Sequence, residues 1–282
     1  MSNAATKIIL AASAGLAMLT SCGPDRHEKE ASALVAEART ALDTGNCRLA
    51  HELADSVGRA YPKALEARRE ALHISTLARE GLAIAELEAT DSLLARLAWR
   101  SDSLKPYVRR VDNPVEPYFV ATGENSDKVY TTTGIYGRLS PEGDFYILAV
   151  LAGHTVKAHS VSVQTASGEG ASTARIPHDG ERNDSGAGRE TITFLAAECD
   201  SLARFVSLHS GEPMTLVFNG TSGTHRTALA PEASARLATL YDYASAVRQA
   251  RVASVRREKL SRSVDLSRQQ AARTYVEPEE EK

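Results

Sequence analysis

An excess of positive charge is missing. With 33 Lys and Arg against 36 Asp and Glu in 282 residues, the chain lacks the basic balance of a nucleic-acid binder, and no such partner is expected. Aromatic residues are scarce at 5%, with a single Trp, which leaves little material for a sugar-stacking surface. Three cysteines are too few for a disulfide scaffold, and none stands in CxxC spacing, which removes zinc-ribbon and thioredoxin-type readings. The phosphate-cradling glycine loops GxGxxG and GxxxxGKS/T do not occur. HExxH and GxSxG are absent too; Gly220-Thr221-Ser222-Gly223-Thr224 places its second glycine one position early. The histidines are scattered, and His154 and His159, five apart at a strand start, point to opposite strand faces. No catalytic residue, cofactor or metal is therefore expected. What remains is 43% hydrophobic and 24% charged, an ordinary globular composition with length for about two domains.

The N-terminus is the most informative segment. Lys7 is followed by an uncharged apolar run over 8–19, shorter than the roughly 20 residues that cross a bilayer core and proportioned like a secretory h-region. The run ends on Leu19-Thr20-Ser21-Cys22, which resembles the lipobox of bacterial lipoproteins. That resemblance implies a signal peptide over 1–21 and a Cys22 thiol that accepts diacylglycerol and becomes the mature N-terminus. It also implies a partner, the membrane, reached through the lipid at Cys22. One acyl chain holds only marginally, so a second or third makes the attachment lasting. Residues 22–30 read as a short polar tether. Gly23 lacks the acid that retains such proteins in the inner membrane, which favours the outer membrane. Asp25, Glu28 and Glu30 resemble the acidic export signal of Bacteroidetes surface lipoproteins, and the side of the membrane stays open.

Residues 31–110 read as a helical domain. A first Ala-rich helix ends at Asp43-Thr44-Gly45-Asn46, and Leu49, Leu53 and Val57 stripe a second. A third begins near Lys63 and runs some 40 residues, with Leu87, Leu94, Leu97 and Leu104 at a and d positions, Thr90 and Ser101 filling the gaps, and Gly81 a weak point. Residues 50–62 are similar to the second helix of a tetratricopeptide repeat. The match covers one hairpin, whereas such repeats need about three copies, so it implies an αα-hairpin only. Prolines at 114 and 117 open an antiparallel β domain over 111–230, a sandwich or barrel with one short inserted helix. Strands are expected over 118–121, 129–139, 145–151, 156–163 (with a slip near Ser160), 173–176, 191–194, 214–218 and 224–229. Pro231 starts a long helix over 231–276 that thins after Val255 and pairs back as a coiled-coil-like stalk; the acidic tail over 277–282 follows. The fold class is thus α+β.

Two local patterns carry chemistry. The segment 179–190, DGERNDSGAGRE, places Asp179, Glu181, Asn183 and Glu190 at positions 1, 3, 5 and 12 of a calcium loop, but Asp184 stands where the sharp turn wants glycine. A polar loop joining two strands accounts for the same letters. Cys47 and Cys199 are either a disulfide or two small buried thiols. The arrangement of lipobox, helical hairpin, β domain and closing helix resembles lipoproteins of Bacteroidetes-type bacteria, a resemblance that supplies no activity. It leads to a non-enzymatic, lipid-anchored interaction or structural module with an envelope protein as partner. The alternative, a solute- or glycan-binding lipoprotein, has only Trp99, Tyr118, Tyr130, Tyr136 and Tyr146 for a platform.

Overall fold

The structure, a computed structural model, describes residues 24–275; the expected signal peptide, Cys22 and the acidic tail lie outside them. In chain order the elements are α1 (Pro24–Asp43), α2 (Cys47–Ala60), α3 (Leu65–Leu104), β1 (Val108–Val111), β2 (Tyr118–Ala121), β3 (Gly134–Leu139), β4 (Phe145–Ala152), β5 (Ala158–Thr165), β6 (Gly170–Ser172), β7 (Asn183–Gly186), β8 (Arg189–Leu195), α4 (Ala197–Leu208), β9 (Met214–Gly220), β10 (Gly223–Leu229) and α5 (Pro231–Thr274). The fold is mixed α and β with two antiparallel sheets. The described residues divide into two compact units, 24–86 with 260–275, and 87–259.

The first unit is a small-residue helical core. Gly45, at φ +77°, closes α1, and the Asn46 side chain accepts the Leu49 N–H at 3.3 Å to start α2. Alanines at 31, 38, 41, 50, 54, 64, 67, 71 and 78 are buried, so the helices meet with little between their backbones. The segment expected as a tether is helical from Pro24, and the Glu28 carboxylate accepts the Ala67 N–H at 3.0 Å, satisfying an orphan donor in the first turn of α3. Beyond Val255, where the apolar pattern thins, α5 stays helical to Thr274, with Val264, Ser267 and Ala271 buried and Arg268 paired to Glu80 at 2.8 Å. Those small and polar positions bury poorly on paper, which hid the seam.

The second unit holds a six-stranded sheet, ordered β1-β2-β3-β4-β8-β7, and a four-stranded sheet, ordered β10-β9-β5-β6. Ile147, Ile192 and Phe194 of the first sheet and Val161, Leu216 and Phe218 of the second meet α4 and the start of α5 in one core. The slip expected near Ser160 is a register shift between Ala158 and Ser160 against β9. Two strand expectations fail. Over 129–139 the first part is a 3-10 turn, Ser126–Thr131, because the Asn125 side chain accepts the Asp127 N–H and Val129 tucks inward; the strand starts at Gly134. Over 173–176 there is no strand, since β6 ends at Ser172 and the following backbone is drawn towards α4.

One buried charged group of this unit joins its two sheets. Glu190, 1% exposed on β8, turns into the core and accepts the N–H groups of Val156 at 2.9 Å and Ala158 at 2.8 Å, at the entrance to β5. It thereby links the two sheets through charge-assisted hydrogen bonds. His178 Nδ1 stands 3.5 Å from the same carboxylate.

Two measurements probe these contacts. Glu190→Gln turns an amide donor onto a buried backbone donor and should cost about 3–5 kcal/mol in urea unfolding; a loss below about 1 kcal/mol would contradict the linking role. Gly81→Ala, which in an open helix gains up to about 1 kcal/mol, should instead destabilise, because the new Cβ meets the Cys47 Sγ. Adding Cys47→Ala should restore the ordinary gain in the melting temperature, and no restoration would sink the steric explanation.

Candidate functional site

A concavity of about 690 Å³ in the second unit runs beside α4. Burial sorts the 12 residues of this helix by its period: Cys199, Leu202, Ala203 and Val206 face the core, whereas Ser201, Arg204 and Leu208 look outward. The helix starts abruptly. Ala196 is held at φ +42°, a left-handed conformation costly for a residue with a Cβ, with its N–H on the Phe145 carbonyl at 3.0 Å. The Glu198 carboxylate then folds back to accept the Leu195 N–H at 2.8 Å and an Arg182 N–H, and the Arg182 hydrogen bond holds its pKa below the usual carboxylate range.

The opposite wall is β6 with its approach. Thr165 N–H donates to the Glu169 carbonyl and Thr173 N–H to the Val161 carbonyl, so the odd-numbered residues turn towards β5. Gly170, Ser172 and Ala174 therefore turn outward. Ala174 is pinned to α4, its N–H donating to the Glu198 carbonyl at 2.7 Å, and Gly170 and Ala171 line the concavity beyond that pin. A Cβ at Gly170 would stand 2.5 Å from the Val163 carbonyl oxygen, so the close approach of β6 to β5 there demands glycine.

Charge in the groove is unbalanced. Arg248 Nη2 donates to Asp200 Oδ1 at 3.0 Å, and the Tyr241 hydroxyl donates to the same oxygen at 3.1 Å. Burial, then the Asp200 charge, raises the Tyr241 pKa. Arg204, exposed on the helix face between Ser201 and Leu208, has no acidic partner among the described residues. Phe205 and the 71% exposed Leu208 supply the apolar part of the wall.

The residues singled out in the sequence fall elsewhere. The tyrosines do gather, on the six-stranded sheet and the 3-10 turn beside it, but three of the rings already carry one of the chain's own cations. Arg138 lies 5.1 Å from the Tyr118 ring and 5.9 Å from that of Tyr136, and Arg189 lies 5.2 Å from the Tyr130 ring. Arg138 is buried and paired with Glu124 at 2.8 Å. Burial raises the pKa of Tyr146, the cross-strand neighbour of Arg138. Trp99 is 73% exposed on α3. His159 bonds its neighbour Ser160, whereas His154 lies 4.3 Å, ring to ring, from His225, which no motif had flagged. In the 179–190 segment the donors serve the backbone: Asp179 accepts the Glu181 N–H, Asn183 accepts the Gly180 N–H, and Glu190 is the buried link described above. Among the described residues no group of three or more His, Cys, Asp or Glu could hold a metal. No helix among them is long and apolar enough to cross a membrane.

Cys47 and Cys199 are both free thiols. Burial pushes the Cys199 thiol up to about 12, and its Sγ donates to the Ala196 carbonyl at 3.4 Å. No protein-family profile, curated protein or solved structure matches the chain. With its thiolate absent at neutral pH, Cys199 should resist iodoacetamide at pH 8 in the folded protein and react once guanidinium unfolds it; prompt native-state labelling in the peptide mass map would refute the buried, protonated assignment.

Proposed function

We propose that the chain is a lipid-anchored lipoprotein of the bacterial cell envelope, held through Cys22, and that its sheet-containing unit is a non-enzymatic interaction module for an envelope protein. One observation carries the reading: the uncharged apolar run over 8–19 that ends on Leu19-Thr20-Ser21-Cys22. Gly23 at the following position supports the outer membrane as its address. The interaction half is supported by the groove beside α4, where an unpaired guanidinium and an exposed leucine share one concave wall. Concave surfaces of this size that mix apolar walls with a few polar groups are where ligands bind.

Two finer architectural readings belong with this proposal. The two sheets form a sandwich, supported by the single core into which both send alternate side chains. Within each unit α3 and α5 pair antiparallel in coiled-coil fashion. In the second unit this is supported by a stripe at three-four spacing in which Thr90 and Leu97 are buried and Leu87, Leu94, Ser101 and Leu104 half-buried, and by the pairs Arg100–Asp242 at 2.7 Å and Arg257–Asp91 at 2.6 Å. In the first unit Leu260, Val264, Ser267, Ala271 and Thr274 keep the same spacing.

Fractionation tests the anchor. The natural sequence should sediment with membranes and carry added acyl mass on its mature N-terminal peptide, and Cys22→Ser should leave the protein soluble after cell breakage. Sedimentation indifferent to that substitution, or an unmodified Cys22, would defeat the proposal.

A further inference from the structure

Three of the four sheet edges are short and one is long. β1 and β7 end the six-stranded sheet with four residues each, and β6 ends the four-stranded sheet with three, next to the pin of Ala174 on α4. β10 ends the other side with seven residues, in unbroken register with β9 from Gly223 to Leu229 and without proline or bulge. Short strands, bulges, prolines and charges are the usual means of keeping an edge from pairing. The charge on β10, Arg226, is drawn off the edge, its Nη2 donating to Gln164 Oε1 at 3.0 Å on the strand beyond β9.

The direction of the backbone groups follows from register. Thr173 N–H donates to the Val161 carbonyl and Thr165 N–H to that of Glu169, so the odd-numbered residues of β5 serve the β6 side. Ser162 therefore exchanges with Val217, while Leu216 and Phe218 serve Thr227 and His225. The N–H and C=O groups of Thr224, Arg226 and Ala228 are left pointing away from the sheet. These three residues are exposed, and no hydrogen bond of the described residues reaches that side of the strand. Their side chains share the outer face with the uncharged Ser162, Thr215 and Asn219, whereas His225 and Thr227 are half-buried on the core face.

We propose that β10 is a docking edge for an extended segment of a partner protein, added antiparallel with an acidic side chain opposite Arg226. The main chain of the segment exchanges hydrogen bonds with Thr224, Arg226 and Ala228. Its acid meets a guanidinium whose hydrogen-bond partner is the neutral Gln164 oxygen. Its alternate aliphatic side chains extend the core face beside Thr227 and His225, whose ring lies 4.3 Å from that of His154. A second copy of the chain is the poorer occupant. Two-fold pairing that engages all three residues sets the two Arg226 side chains directly opposite each other, and like charges so placed oppose pairing. Sliding the copies by two residues leaves Thr224 or Ala228 outside the pairing. This inference deepens the interaction-module reading and rests on it, but not on the lipid anchor.

The probe is a fluorescein-labelled heptapeptide, Ser-Thr-Val-Glu-Val-Thr-Ser, titrated by anisotropy into the detergent-solubilised full chain. Saturable binding is expected. N-methylating the Glu and both Thr nitrogens, which donate to β10, should abolish it, whereas N-methylating the two Val nitrogens, which point to solvent, should preserve it. Replacing the peptide Glu by Lys should weaken binding about tenfold, and Arg226→Glu in the protein should reverse that preference. Ala228→Pro removes an outward donor and no hydrogen bond of the sheet itself, so it should abolish binding with the circular dichroism unchanged. If that variant misfolds, the charge exchange at Arg226 and the two methylation patterns still decide. Absence of saturable binding, equal effects of the two methylation patterns, no reversal by Arg226→Glu, or full binding by a folded Ala228→Pro would overturn the proposal. So would a dimer in sedimentation velocity that Ala228→Pro dissolves, which gives the edge to a second copy. If the peptide fails while Cys22→Ser still frees the protein from membranes, the edge assignment falls and the envelope anchor stands; the reverse pattern removes the anchor and leaves the edge.

Discussion

The second unit depends on the buried carboxylate of Glu190. Placing Glu190 in the core has a desolvation cost, offset only because both oxygens accept backbone N–H groups, those of Val156 and Ala158. Those donors belong to the connection between β4 in one sheet and β5 in the other, so one side chain fixes where the second sheet begins. The connection is tight elsewhere as well. Lys157 is held at φ +53°, the Val156 and Lys157 carbonyls accept N–H groups from Ser222 and Thr221, and Gly220 lacks the Cβ that would run into the Val156 carbonyl. Strain at Lys157 persists because these contacts over-determine it.

From that connection the geometry propagates outward. β5 carries β6, and two residues past its end Ala174 is pinned to α4, beside the concavity that Gly170 and Ala171 help to line. The strained Ala196 sets where α4 leaves β8, and so which residues of the helix face outward. The groove is therefore a consequence of how two sheets of unequal size are tied together. Arg204 and Arg248, which line it, stand on helices that pack against the core. In the helical unit the corresponding constraint is size. Buried alanines and Gly81 let the helices approach closely, and a single added methyl group has nowhere to go beside Cys47.

Much of the element order could be read from periodicity, since long amphipathic or alternating segments announce themselves. The helical hairpin, the 40-residue α3, most strands and the irregularity near Ser160 follow from such patterns. What escaped did so for identifiable reasons. Residues 24–30 are polar, and their helix is supported by a distant contact, Glu28 on the first turn of α3. The far seam of α5 uses Ser267 and Ala271, which register as surface residues in any hydrophobic count. The groove draws on residues 170–171, 197–208 and 248, with neither a motif spacing nor a shared sequence neighbourhood to mark them. The tyrosines were visible as the available aromatic residues of the β region, but the cations beside them, Arg138 and Arg189, are brought there by strand register and by the fold of the 3-10 turn. Glu190 had been noticed for a different chemistry, as the last position of a calcium loop, and its burial on β8 assigns its oxygens to backbone donors instead.

Native-state hydrogen exchange resolved at single amides tests the dependence on Glu190 most directly. The Val156 and Ala158 amides lie at the end of a surface connection, where exchange is ordinarily fast. Held by a buried carboxylate, they should exchange only through global opening, at the rate of the central β4 and β8 amides. Exchange of these two amides at the rate of exposed loop amides, with β4 and β8 still protected, would contradict the role given to that carboxylate.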